Sequence, residues 1–192
     1  MDSRIVLSRL TALCALALTA AIFGFFYAWV CSTMWGLDRT EPQVAITAMQ
    51  AMNASVRNAV FFPAFFLTPA ALLIAAACAL RVAARGAAIG FAAAAAFYML
   101  GAFLPTMAIN VPMNEALGAL TVPTDRDAAA RIWADYSPRW QFWNTVRTLA
   151  SLAALLATGA ALLMLPRWAA GYSAASTPTP MGQETPVPPS PQ

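Results

Sequence analysis

Four stretches of this chain contain no Asp, Glu, Lys or Arg: residues 10–37, 58–80, 86–114 and 148–166. They are 28, 23, 29 and 19 residues long and together make up just over half of the 192 residues. A helix on the surface of a water-soluble protein keeps a polar face toward solvent, and these stretches have none. A bilayer core of ~30 Å is crossed by about 20 apolar residues of helix, at roughly 1.5 Å each. All four stretches meet that length, the last one narrowly. In lipid every backbone N–H and C=O needs an internal partner, which leaves helices or closed barrels. Barrel strands alternate with period two, whereas residues 92–96 and 153–157 are unbroken apolar runs. The pattern predicts an all-α fold, a membrane four-helix bundle with spans at about residues 10–35, 58–80, 86–110 and 140–165. With 60% hydrophobic and 10% charged residues, a soluble globular enzyme and a disordered chain are both excluded.

The transmembrane domain is expected over residues 1–168. From Gly171 onward six of the last 22 residues are proline, so residues 169–192 are expected to form a disordered tail. Arg4 and Arg9 precede the first apolar stretch as in a signal peptide, but that stretch exceeds a signal h-region of ~7–15 residues. Cys14 follows Thr-Ala-Leu, a poor lipoprotein cleavage box. A retained first span is therefore expected. The protein has no lysine, so orientation rests on arginine alone. Arg81 and Arg85 form a dense hairpin without nearby acids, which points to both termini in the cytoplasm and a place in the cell (inner) membrane. No basic cluster offers a phosphate footprint, so nucleic acid is not an expected partner. The lipid bilayer is.

Four spans put residues 37–57 and 111–147 on one side, whatever the orientation. Both segments read as helical, giving short amphipathic interfacial helices in the 1–2 and 3–4 connections. Thr40-Glu-Pro-Gln43 is a capping-box pattern with Thr40 as N-cap. Val44, Met49, Met52 and Val56 follow at helical spacing. Thr124 is expected to cap a second helix with Asp125 and Asp127 in its first turn. Ser137-Pro138 should end that helix and restart the chain as the fourth span.

No histidine occurs. This removes the commonest general base, the usual zinc and haem ligand, and every Ser-His or Cys-His nucleophile. Cys14, Cys31 and Cys78 lack CxxC spacing and read as free, buried thiols rather than a redox pair. No metal site and no cofactor are expected, and no phosphate-binding glycine loop is present. Gly86-x3-Gly90 reads as a point of close helix packing.

What remains is a polar and aromatic constellation. Asn110 and Asn114 share a helix face at the end of the third span, with Pro112 between them. Trp140, Trp143, Asn144 and Arg147 lie at offsets 0, 3, 4 and 7, one helical stripe that Ser151, Ala154 and Thr158 continue. Asn53, Arg57 and Asn58 open the second span. Trp133 and Tyr136 read as an interfacial aromatic belt. Arg147 is the residue that a plain anchor does not need. A charge turned into a bundle costs ~2.5 kcal/mol or more at mid-membrane, and Glu115, Asp135 or Asp38 is expected to pair with it.

The order Asn53-x4-Asn58, Asn110-Val-Pro-x-Asn114-x2-Leu117 and Trp133-x2-Tyr136-x3-Trp140-x2-Trp143-Asn144-x2-Arg147 resembles the anthrone oxygenase-like family of small four-span membrane proteins. The resemblance covers about residues 20–165. Two positions depart from it: Trp35 stands where members commonly have proline, and Thr145 where histidine often follows the asparagine. The resemblance implies the four-span fold and, from fungal members, oxidation of anthrones to anthraquinones without metal or flavin.

Two functions are open on these grounds. One is a cofactor-independent oxygenase acting on a lipophilic, anthrone-type aromatic small molecule. Arg147, Glu115 and Asp135 would be catalytic, the base being Glu115 or Asp135 with its pKa raised by partial burial. Asn53, Asn58, Asn110, Asn114, Trp140, Trp143 and Asn144 would bind substrate and hold its oxyanion. The other is a non-enzymatic membrane protein that binds a lipid or a partner subunit through the same pocket, with the Asn/Arg set clasping the spans together.

Overall fold

The computed structural model describes residues 2–166, so the tail expected at 169–192 lies outside the described residues. Five helices carry the chain: α1 (Ser3–Leu37), α2 (Pro42–Ser55), α3 (Phe61–Arg81), α4 (Arg85–Gly118) and α5 (Arg126–Leu163). All but α2 are long and apolar enough to cross a membrane, and the described residues contain no strand. The protein is an integral-membrane helical bundle. α1 packs against α3 and α5, and α4 packs against the same two helices, which closes a four-membered ring.

Small side chains bring these helices together. In lipid there is no hydrophobic drive between helices, so close van der Waals packing has to hold them. The core accordingly combines fully buried alanines, such as Ala12, Ala75, Ala94 and Ala154, with the rings of Phe26, Phe65, Phe91 and Tyr98. Gly90 and Gly101 of α4 face α5 at Ala161 and Ala150. A Cβ on Gly90 would lie 2.9 Å from that of Ala161, and one on Gly101 would overlap that of Ala150. Gly90 thus serves the close packing read from Gly86-x3-Gly90. Buried hydroxyls are satisfied within their own helices: Thr19 donates to the Ala15 carbonyl, Thr68 to Ala64, Thr158 to Ala154. Leu73, Ile74, Leu100, Leu149 and Leu156 point outward and are exposed, a surface suited to acyl chains. Cys78 is buried as expected, but Cys14 and Cys31 lie on this outer face. They are small apolar residues toward lipid, and all three thiols are free.

The α3–α4 hairpin turns in three residues. Ala83 takes a left-handed conformation (φ 56°), and the Ala84 N–H donates back to the Ala79 carbonyl at 3.0 Å, closing the end of α3.

The opposite end is capped by a second core. α2, the ends of α1 and α4 and the first turns of α5 bury Met34, Ile46, Met49, Leu117, Trp133, Tyr136 and Trp140 together. Side chains stitch it: Gln50 donates to the carbonyls of Leu117 (2.9 Å) and Leu120 (3.0 Å), and Arg126 pairs with Glu41 at 2.8 Å. The interfacial helix of the 1–2 connection is α2. Its buried stripe is Ala45, Ile46 and Met49, while Val44 is exposed, because the partner surface lies one residue round from the predicted face.

Thr40 does not cap α2. Its hydroxyl donates to the Leu37 carbonyl at 2.9 Å, Glu41 occupies the cap position, and Gln43 reaches Thr124 instead. Asp125 rather than Thr124 caps α5, accepting from the Ala128 N–H at 2.9 Å. Pro138 does not stop the helix: α5 runs unbroken from Arg126 to Leu163, so the helical segment of the 3–4 connection is continuous with the fourth span. The physical reason is Asp38, whose carboxylate accepts from Trp133 Nε1 (2.9 Å), Ser137 Oγ (2.7 Å) and Gln141 Nε2 (2.9 Å). Three bonds spread over two turns hold both sides of the proline in one helix. They also bury Trp133 and Tyr136 in the cap core, so neither forms an interfacial belt.

Candidate functional site

The site forms where the cap meets the bundle, and α4 positions it through two wide turns. Residues Met99–Phe103 and Thr106–Asn110 are π-helical, each just ahead of a proline, Pro105 and Pro112. Proline lacks the N–H that would bond four residues back, and its ring crowds that carbonyl. A wide turn relieves the clash and shifts the helix face. Thr106 and Asn110 thereby become buried, with Asn114 one further turn along. α3 packs closely on α4 along Arg85–Tyr98 and draws away beyond it. The Tyr98 hydroxyl closes the lower part, donating to the Phe65 carbonyl at 2.7 Å, and Phe65 stacks on Phe103 at 5.2 Å.

Above this floor lies a cavity of about 310 Å³. Phe25 and Trp29 of α1, Phe61 and Phe65 of α3, and Trp140 of α5 form an aromatic wall. Trp29 and Trp140 meet at 5.0 Å between ring centroids, and Phe25 and Phe61 at 4.8 Å. Asn53, Thr106, Asn114, Asn144 and Arg147 supply the polar part. Phe62, Phe66 and Met107 also line it and are 41%, 44% and 42% exposed on the outer surface. The cavity therefore reaches the lipid-facing side between α3 and α4. Arg57 and Glu115 flank the cavity at the cap end and pair at 3.0 Å.

Arg147 is buried, with 4% of its surface exposed. Nη2 donates to Asn144 Oδ1 at 3.0 Å and Nη1 to Thr106 Oγ1 at 3.2 Å. The guanidinium carbon lies 4.6 Å from the Phe26 ring centroid and 5.2 Å from that of Trp140, within cation–π range. Its Nε is buried with no protein partner. None of the expected carboxylates reaches it: Glu115 is paired with Arg57, Asp38 is committed to α5, and Asp135 is exposed on a separate surface cleft beside Arg139. The described residues contain two ion pairs, and Arg147 is in neither. Among the described residues its charge is offset by dipoles and π faces alone.

The two asparagines beside it are oriented by obligatory donors. Asn114 Oδ1 accepts from Tyr136 Oη at 2.7 Å and Trp140 Nε1 at 2.9 Å. Indole N–H can only donate, so the carbonyl of Asn114 must face these rings and its NH2 is left for the cavity. Asn144 is engaged at both amide atoms, its Nδ2 donating to the Phe26 carbonyl at 3.1 Å and its Oδ1 holding Arg147. Asn53 Nδ2 is buried without a partner.

Of the residues singled out in the sequence, the cavity brings together Asn53, Asn114, Glu115, Trp140, Asn144 and Arg147. Asn110 is wholly buried behind it, with neither amide atom partnered. Asn58 caps α3 instead, accepting from the Val60 and Phe61 N–H groups at 2.8 and 2.9 Å and donating to the Ser55 carbonyl. Trp143 is half-buried against Phe142 and does not line the cavity. Asp135 is remote from it and, like Glu115, exposed rather than partly buried. Sequence reasoning missed the wall from α1 and α3. Its signal was there in Phe25-x3-Trp29 and Phe61-x3-Phe65, aromatic pairs at helical spacing beside the cap. Among the described residues no group of three His, Cys, Asp or Glu is placed to hold a metal ion.

The family model described as anthrone oxygenase matches residues 51–157, a stretch that contains every polar group of the cavity named above. No curated protein and no solved structure matches the chain.

Proposed function

The chain belongs to the anthrone oxygenase family, matched over more than half its length, and from that premise we propose that the cavity binds an anthrone-type aromatic ketone and promotes its oxidation by dioxygen without a cofactor. The observation that carries this reading is the buried Arg147. It has no carboxylate partner among the described residues, and it borders an aromatic-walled cavity that Asn114 lines with an NH2 left over by its two bonds to Tyr136 and Trp140.

The chemistry divides into three steps. A base removes a proton from the methylene carbon opposite the ketone, and the electron pair moves onto the ketone oxygen as an enolate. Arg147 and the Asn114 NH2 hold that oxyanion in a site where little water competes, the arrangement that most lowers such barriers. Trp29, Trp140 and Phe61 sandwich the fused rings. The electron-rich carbon then bonds dioxygen, and with a proton the product is a hydroperoxide. Loss of the second hydrogen from that carbon breaks the O–O bond, forms the new carbonyl and releases water. One anthrone and one dioxygen thus give one anthraquinone and one water, with carbon oxidised and oxygen reduced by four electrons. Glu115 is the carboxylate on the cavity wall and is assigned as the base; Asp135 is left outside this scheme. The gap between α3 and α4 supports access from the bilayer, where such a substrate partitions.

The test is direct. Purified protein is mixed with anthrone in detergent, and oxygen uptake and anthraquinone absorbance are followed against a protein-free control. Acceleration by the wild type and its loss in Arg147→Met is the expected result. A wild-type rate equal to the spontaneous one refutes the proposal.

A further inference from the structure

At the end of the bundle away from the cap, the start of α1 and the end of α3 border a cleft of about 440 Å³ lined by Arg4, Leu7, Cys78 and Arg81. Both arginines are exposed, and neither takes part in an ion pair among the described residues. Asp2, the acid nearest in sequence, turns its Oδ1 to the Arg4 backbone N–H at 2.9 Å. Arg9 is occupied elsewhere, donating to the Leu165 and Pro166 carbonyls. Two guanidinium groups with no ion-pair partner among the described residues therefore share one cleft at an end of the membrane-spanning helices. From the cleft toward the bilayer centre the outer surface is apolar: Leu7, Leu10 and Ile74 are 48%, 59% and 53% exposed.

We propose that this cleft binds an anionic phospholipid, with Arg4 and Arg81 clamping the phosphate and the acyl chains lying along Leu7, Leu10 and Ile74. The planar guanidinium fork matches phosphate oxygens in pairs, and basic pockets between membrane helices suit anionic headgroups. A free phosphate would use the two charges and nothing else, whereas the apolar track below them fits an amphiphile. The site lies at the opposite end from the Arg147 cavity and does not depend on the oxidation reading.

The experiment titrates the detergent-purified full chain with phosphatidylglycerol, with phosphatidylcholine of the same acyl chains, and with inorganic phosphate. Binding is read by native mass spectrometry and by the melting midpoint. Each arginine is expected to contribute roughly fivefold in affinity, about thirtyfold for the pair. Phosphatidylglycerol should bind at least tenfold tighter than phosphatidylcholine, and the Arg4→Gln/Arg81→Gln double variant should lose that preference. Arg131→Gln, the same type of charge removal on the cap side, should change binding less than twofold. The Arg4→Lys/Arg81→Lys pair, which keeps the charge and loses the fork, should fall between. Equal binding of the two lipids, an equal loss in Arg131→Gln, or stabilisation by inorganic phosphate as large as that by phosphatidylglycerol would each overturn the assignment.

Discussion

Asn114 divides its labour between its two amide atoms, and two substitutions separate them. The carbonyl oxygen accepts from Tyr136 and Trp140, which are 6% and 3% exposed. Asn114→Ala leaves both donors without an acceptor, at ~1–3 kcal/mol for each buried group. Two such donors amount to roughly 2–6 kcal/mol, or a fall of about 5–20 °C in melting midpoint for a chain of this size. Asn114→Asp keeps an acceptor for both rings, so its midpoint should stay within a few degrees of wild type. The Asp variant loses the NH2, however, and sets a negative charge where the substrate oxyanion forms. Removal of one such donor costs about 10²–10³ in kcat, so Asn114→Asp should be folded and at least a hundredfold slower. The assays are thermal unfolding in detergent by tryptophan fluorescence and anthraquinone formation under the same conditions. An Asp variant as active as wild type would refute the oxyanion role, and an Ala variant as stable as wild type would refute the structural one.

Three further outcomes follow from the packing. Gly101→Ala drives a methyl group into Ala150 and should cost ~1–3 kcal/mol; adding Ala150→Gly should restore most of it in a double-mutant cycle read by unfolding. Ala83 holds a left-handed conformation at φ 56°, so Ala83→Gly should raise stability by roughly 0.5–1 kcal/mol, visible as a higher midpoint with unchanged activity. Asp38→Ala removes the acceptor for Trp133, Ser137 and Gln141. The loss is expected at ~2–4 kcal/mol, and faster amide exchange should be confined to the turns around Pro138.

The site residues show where linear reasoning stops. The stripe through Trp140, Asn144 and Arg147 was legible because a helix repeats every 3.6 residues, and these three do line one cavity. Trp143, one position from Asn144, satisfied the same count and turned aside to Phe142. Asn58 had the right composition for a site, but three bonds to its own turn already use it as a cap. Periodicity names the face of a helix; it does not say what stands opposite. The pairing of Glu115 with Arg57, 58 positions apart, and of Asp38 with α5, about a hundred positions away, had no local sign.

By itself the sequence determined that four helices lie in lipid, because each uncharged stretch could not be hydrated as a surface helix and could satisfy its backbone in hydrocarbon only by coiling. It also determined that the elaborated segments share one side, which follows from the number of crossings. Tertiary structure alone decided that Pro138 lies inside an unbroken helix, that α3 parts from α4 above Phe103, and that Arg147 faces the cavity without an ion-pair partner among the described residues. Those outcomes rest on contacts between distant segments, such as the three donors gathered by Asp38 and the wide turns of α4. Their energies exist only once the helices have met.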